Sequence, residues 1–531
     1  MSGSIRWGDT VVEGSIHGRP ALVYRDRGSA VGDVLIESRR WATRPFIFHG
    51  DRVVTFAEHE RMVRNVATRL RRAGIKQDDR VGIYAANSPE WVATFFGVLE
   101  AGAIAMPCNS WWSAEEMAFA CSTTQPSVIV ADAKRVERVP AGVRQIEFAE
   151  LTTSDTSAGG DEAADAQDVP RDEDAPAVIL FTAGTTSFPK GAVLSHRALL
   201  ANLQTLLIVA NKLPHQIPDD VKASVALVGL PLFHIGAIQL ILVPLMTGSQ
   251  IVFLEGRFDG AEVLSLIESH RVTMFSGVPT MMERLLARPE LSQRDVSSLR
   301  TVVLGGSPVD DDLLDRIAVA FPGTRRSLGR TYGLTEAGGV VSTGVGASLR
   351  EHPGSSGRLA PVVEIEIRNP GKNGSGEIFV RSPAAMDGYW GITDDSTIDS
   401  EGWVKTGDIG YVDADRYLYI TGRSKDVIIR GGENIAPARI ESVLREHPGV
   451  ADVAVIGMPD AEFGELVAAI VCPAPGVLVT AVELDEFVRP RLAHFEVPAR
   501  WIFRADTLPI NESGKVLKDV LREQYARSVH I

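Results

Sequence analysis

The densest run of anion-binding residue types is Thr182-Ala183-Gly184-Thr185-Thr186-Ser187-Phe188-Pro189-Lys190-Gly191. Small residues let backbone amides approach an anion, hydroxyls add donors, and Lys190 adds a charge. The order is not that of a Walker loop, which needs Gly-x4-Gly-Lys-Ser/Thr. Three further motifs follow along the chain. Tyr332-Gly333-Leu334-Thr335-Glu336 joins a ring that can stack on a base, a hydroxyl, and a carboxylate able to hold Mg2+ against phosphate oxygens. Asp408, closing Trp403-Val404-Lys405-Thr406-Gly407-Asp408, could accept from both hydroxyls of a ribose. Lys515, closing Leu508-Pro509-Ile510-Asn511-Glu512-Ser513-Gly514-Lys515, puts a cation on a glycine-bearing loop near the end. Taken singly, each has a plainer reading: a surface turn, a core tyrosine, a tight-turn aspartate, a solvated lysine.

Groups so far apart in sequence need a large scaffold. After residue 50 the chain alternates strand and helix signals, which predicts an α/β fold of mostly parallel sheets flanked by helices. Thr55-Phe56-Ala57-Glu58 reads as a capping box, with Val63, Val66, Ala67 and Leu70 on one face and Gly74 placed to end the helix. Strands are expected at 81–85, 103–107, 128–131, 177–181, 224–230, 251–254, 273–275 and 301–304, and a helix beginning near Asn87-Ser88-Pro89-Glu90. The 152–176 stretch is rich in Asp, Glu, Ala, Gly and Ser and reads as a solvated acidic loop. Segments shorten after Gly407-Asp408, and 417–422 followed by Arg423-Ser424-Lys425-Asp426 has the composition of a hinge. The expectation is a large N-terminal domain over 1–422 and a small, mobile C-terminal α+β domain over 423–531.

Composition narrows the function classes. A 531-residue chain that is 45% hydrophobic and 23% charged fits a multi-domain globular protein. A formal charge of −14 argues against nucleic acid as a partner, so cationic groups for phosphate must be concentrated locally. Cys108, Cys121 and Cys472 have neither metal nor disulfide spacing, which fits a reducing cytoplasm. The most apolar run, 237–246, is about half the length needed to span a bilayer and holds a proline, leaving only transient membrane contact open.

In this order the motifs are specific. From about Arg52 to Leu521 the chain resembles the adenylate-forming superfamily, which includes acyl-CoA synthetases, peptide-synthetase adenylation domains and firefly luciferase. Pro231-Leu232-Phe233-His234, Gly277-Val278-Pro279-Thr280, Gly305-Gly306-Ser307-Pro308, Gly376-Glu377-Ile378, Gly422-Arg423-Ser424-Lys425-Asp426 and Gly431-Gly432-Glu433-Asn434-Ile435 match as well. The resemblance implies ATP, Mg2+ and coenzyme A as reactants alongside a small carboxylic acid; a homodimer is compatible with it. It places residues 182–190 around the β- and γ-phosphates, Gly305, Gly306, Ser307 and Tyr332 around adenine, Gly333 among the ATP-binding residues, and Asp408 with Arg423 at the ribose. It puts Thr335 at the α-phosphate, Glu336 on Mg2+, and Lys515 between the carboxylate and the α-phosphate. Lys425 falls at the hinge, and Gly431 and Gly432 at the pantetheine tunnel. Ala183 stands where the family usually has serine, Ser187 where it has glycine, and Glu496 where it has lysine.

For the acid, residues 231–240 offer no carboxylate to pair with an amino group, which disfavours an amino acid because an unpaired ammonium is costly to bury. Gly333, at a position that is Trp in acetate-type relatives, suggests room for a longer acyl chain, with His234 as a gate or as a satisfied core histidine. A medium- or long-chain fatty acid is the leading expectation. The alternatives are an aryl or cyclic acid, delivery to a carrier-protein thiol, and, without catalysis, an ATP-binding regulator.

Overall fold

The computed structural model describes residues 7–152, 172–182, 189–371, 374–393, 396–430, 433–435, 437–460, 463–492, 494–510 and 516–526. The chain divides into two compact units: Met1–Glu364 with Val380–Val404, and Ile365–Phe379 with Lys405–Ile531. The division therefore differs from the expected boundary at 422/423. Val404–Val412 is hydrogen-bonded to Leu418–Arg423, with Asp408 opposite Arg423, and helix Pro437–Arg445 packs on Leu418–Arg423, which ties this sheet to the C-terminal unit.

The first unit holds two large sheets. One is seven-stranded, in the order Gly388–Tyr389, Lys190–Ser195, Pro176–Thr182, Ile104–Pro107, Arg80–Tyr84, Val128–Ala131, Gln145–Glu147. The other is nine-stranded, and its centre runs Ser327–Leu334, Thr301–Leu304, Met274–Gly277, Val225–Val228, all parallel. Strands such as Ile104–Pro107, Val128–Ala131 and Val225–Val228 are buried at every residue, as parallel strands covered on both faces must be. The expected capping box forms: Thr55 accepts from the Glu58 amide and Glu58 returns to the Thr55 amide, opening helix Phe56–Arg72. Val63, Val66, Ala67 and Leu70 are its buried face. Ser88 caps helix Pro89–Glu100, with proline in its first turn.

The apolar run 237–246 lies inside helix Ile235–Thr247, whose buried residues join the core of the first unit. No helix among the described residues is long and apolar enough to cross a membrane. The acidic stretch is not solvated throughout. Residues 153–171 lie outside the described set, but Glu173 and Asp174 are ion-paired with the buried Arg197 at 2.6 Å each, and Arg27 adds a second pair to Glu173 at 2.7 Å.

The second unit is α+β. Its four-stranded sheet is ordered Glu364–Arg368, Gly376–Arg381, Val404–Val412, Leu418–Arg423. A second sheet is ordered Glu433–Ile435, Ile428–Arg430, Gly464–Pro473, Val450–Asp460, with Arg500–Phe503 parallel to Gly464–Pro473. Strand Val450–Asp460 sends Val453 and Val455 into one core and Ala454 and Ile456 into another, the two-residue period of a sheet covered on both faces. Of the stretch 417–426 read as a hinge, Leu418–Arg423 is strand. Only Ser424–Asp426 forms a short 3-10 turn, and Glu496 is a buried partner of Arg439 at 3.3 Å.

Candidate active site

In the first unit, the parallel strands Val225–Val228, Met274–Gly277, Thr301–Leu304 and Ser327–Leu334 end in register on one edge of the sheet. Their following loops carry the motifs, as ligand loops do at the carboxyl ends of open α/β sheets. Gly305 follows its strand directly, and its amide donates to the Gly277 carbonyl at 3.1 Å. A side chain there would press on Thr331, so the loop 305–307 lies against the strand bearing Tyr332. Arg330, which the motifs did not single out, supports the same loop. It is buried, donates to the Val309 carbonyl at 2.7 Å and pairs with Asp311 at 2.6 Å. A lone arginine in an apolar strand was its only signal.

A register shift falls between Tyr332 and Gly333, the kind of bulge that re-aims side chains beside a site. Gly333 does not open the pocket as expected. A Cβ there would stand 2.0 Å from the Gly339 carbonyl oxygen, so glycine is required by backbone contact with the next strand. Thr335–Ala337 then forms a 3-10 turn closed by Gly338, at φ +74°, where a Cβ would collide with the Ala384 carbonyl. Glu336 is fixed on this turn. Its Oε1 accepts from the Tyr389 hydroxyl at 2.8 Å, and its backbone carbonyl accepts from the Met386 amide at 3.0 Å.

The anion loop joins the same place. Thr182 ends strand Pro176–Thr182, and Lys190 opens the antiparallel strand Lys190–Ser195, the two residues being paired. Ala183, Gly184, Thr185, Thr186 and Ser187 lie outside the described residues. The Lys190 ammonium sits 4.9 Å from the centre of the Tyr389 ring, so Tyr389 touches both Lys190 and Glu336. The Thr182 hydroxyl is buried without a hydrogen-bond partner among the described residues. Carboxylate, hydroxyl and phosphate oxygens are the hard donors that suit Mg2+, so Glu336 and its neighbours fit that ion.

His234 precedes helix Ile235–Thr247 without capping it by its side chain. Desolvation pulls its pKa down to about 4, so the ring is neutral at pH 7. Its ring centre lies 4.4 Å from that of Phe233, and Phe233 meets Trp111 edge-on at 5.6 Å and 88°. Asn87 fixes this loop by donating to the Leu230 carbonyl and accepting from the Leu232 amide.

In the second unit, Asp408 is buried and its Oδ1 pairs with Arg423 Nε at 3.0 Å, the two standing opposite each other across the strands. Lys425 pairs with Asp519 at 3.6 Å, and the adjacent Asp426 with Arg522 at 3.0 Å. Gly431, Gly432 and Lys515 lie outside the described residues. Ile510 and Val516, on either side of residues 511–515, form an antiparallel bridge.

Comparison with known proteins agrees with this geometry. The family model described as AMP-binding enzyme matches residues 36–390, and that described as AMP-binding enzyme C-terminal domain matches 439–515. A feruloyl-CoA synthase of Amycolatopsis sp is 36% identical over 488 residues, covering 90% of this chain and 95% of that protein. The long-chain-fatty-acid–CoA ligase FadD13 of Mycobacterium tuberculosis is 33% identical over 492 residues, covering 90% and 94%. The crystal structure of ATP-bound MatB from Rhodopseudomonas palustris superposes with a TM-score of 0.82 at 29% identity, covering 93% of this chain and 99% of that one. The chain belongs to the adenylate-forming superfamily of AMP-binding enzymes, within its acid:CoA ligase (acyl-CoA synthetase) family.

Proposed function

We propose that this ligase activates a planar aryl-bearing carboxylic acid, first to acyl-AMP and then to the CoA thioester. The carrying observation is the aromatic cluster Trp111–Phe233–His234 at the loop that opens helix Ile235–Thr247. A further aromatic ring could add offset or edge-on contacts to such a cluster, and a neutral His234 adds no charge to it. The 36% identical feruloyl-CoA synthase supports the same class. The fatty-acid reading keeps its own support in the 33% identical FadD13. A pyrophosphate-release screen across straight-chain, branched and aryl acids, with and without CoA, separates the two. An aryl acid should exceed C8–C16 fatty acids in kcat/KM by about tenfold or more. Fatty acids in the lead would overturn the aryl reading. Release without acid or CoA dependence would overturn ligation altogether.

The mechanism assigns each group a task. Residues 182–190 hold the β- and γ-phosphates, with Lys190 as the fixed charge. Gly305, Gly306, Ser307 and Tyr332 receive adenine, and Asp408 with Arg423 the ribose. Glu336 would hold Mg2+, which when bound would supply charge withdrawal from the phosphate oxygens. Thr335 contacts the α-phosphate while Lys515 bridges it to the incoming carboxylate, lowering the repulsion between two anions. The carboxylate oxygen bonds to the α-phosphorus and pyrophosphate leaves. The CoA thiol, guided past Gly431 and Gly432, gives up its proton to solvent and its sulfur attacks the acyl carbon, expelling AMP. The two steps need different groups at one carbonyl, which calls for a swing about Lys425.

A further inference from the structure

We propose that Tyr389 is a positioning residue for metal binding, holding Glu336 in a single-oxygen ligating pose and keeping Lys190 apart from it. This deepens the ATP-site reading above and rests on it. The phenol donates to Glu336 Oε1 at 2.8 Å, which leaves Oε2 as the oxygen turned to a cation. The face of the same ring takes the Lys190 ammonium at 4.9 Å, within cation–π range. A lysine and a glutamate this close to one phosphate site would otherwise neutralise each other, removing the charge that grips phosphate together with the ligand that holds the metal. Tyr389 gives each a separate partner.

The backbone makes this placement rigid. Gly388–Tyr389 pairs with Lys190–Ser195, Tyr389 lying opposite Ala192, and the Trp390 amide donates to the Gly191 carbonyl at 2.8 Å. Three residues earlier, the Met386 amide donates to the carbonyl of Glu336 itself at 3.0 Å. One short segment thus laces the strand after the phosphate loop to the turn that carries the carboxylate, and Tyr389 is its only side chain shown in contact with both charged groups.

The test is Mn2+ binding in the presence of ATP and without acid, followed by electron paramagnetic resonance on the full chain. Tyr389→Phe keeps the ring beneath Lys190 and removes only the hydroxyl. It should weaken Mn2+ binding about tenfold, the size expected for one hydrogen bond to a charged group, with an unchanged thermal midpoint. In a Glu336→Gln background the same substitution should have no further effect, because the ligand that it positions is already gone. Equal Mn2+ affinity in wild type and Tyr389→Phe would overturn the proposal. So would a Tyr389→Phe loss that persists undiminished in the Glu336→Gln background, which marks a merely structural role. If wild type itself binds no Mn2+–ATP, the ATP-site reading fails instead, and that outcome is distinct from both.

Discussion

His59 is closed in by Phe46 and Phe96 at ring distances of 5.1 and 5.7 Å, and neither ring nitrogen has a hydrogen-bond partner among the described residues. Burial lowers its pKa from 6.5 to about 3, so the folded state resists the proton that the unfolded chain accepts. Its contribution is therefore complete above pH 6.5 and is lost as pH falls from there toward the folded value. Between pH 7 and pH 5 this one residue should cost about 2 kcal/mol. Urea unfolding of the first unit at the two pH values checks it, since His59→Leu should lose visibly less stability over that interval than wild type. At Lys515 the expectation concerns chemistry. Lys515→Ala should slow acyl-AMP formation by about a hundredfold or more and leave thioester formation from supplied acyl-AMP nearly intact. Equal losses in both half-reactions would count against its role. The residue scale also marks where sequence reading stops. Lys190, Glu336 and Asp408 were legible because charge and glycine spacing announce them. Tyr389 was not, because its partners are set by pairing with a strand far away in the chain and by a turn that the pentapeptide 332–336 does not disclose. Gly333 was misread as open space because the Gly339 carbonyl that crowds it comes from a neighbouring strand.

At the level of elements, the adenine and metal motifs depend on how Ser327–Leu334 meets Gly339–Val345. With the Gly339 oxygen 2.0 Å from a would-be Cβ, Gly333→Ala must push the two strands apart. Calorimetry should show a loss of roughly 2 kcal/mol or more, together with weaker ATP binding. Wild-type stability in that variant would mean the strands yield easily. Elements with strong local signals were readable: the 128–131 and 301–304 strands appear where expected, and the Thr55 capping box forms. Others moved by a residue or two, as with 81–85 against Arg80–Tyr84. Within the 417–426 stretch read as a hinge, Leu418–Arg423 pairs with Val404–Val412, a partner that the composition of the stretch does not disclose.

For the whole molecule, the proposed swing has a specific test at the 3-10 turn Ser424–Asp426. Lys425→Pro restricts φ and removes one amide. Single-turnover pyrophosphate release should stay within about threefold of wild type, while thioester formation should fall about a hundredfold. Parallel decline of both steps would argue that the turn is structural only. The α/β class and the small C-terminal α+β part followed from alternation and segment length. The course of the chain between the two units did not, since it depends on which strands share a sheet.

That course has a consequence for synthesis. Residues 365–379 belong to the second unit but are made before 380–404, which return to the first. A nascent chain emerging from the ribosome thus displays Lys190 and Glu336 well before the ring that contacts both. The first unit closes only when Gly388–Tyr389 adds itself to the edge of a sheet whose other strands have long been waiting. Until then that edge is an unpaired template next to a cationic loop, a place for a chaperone to hold and for a misfolded neighbour to pair. Any stalled product ending before residue 389 keeps the edge open, so premature termination in this protein should appear as aggregation through one strand.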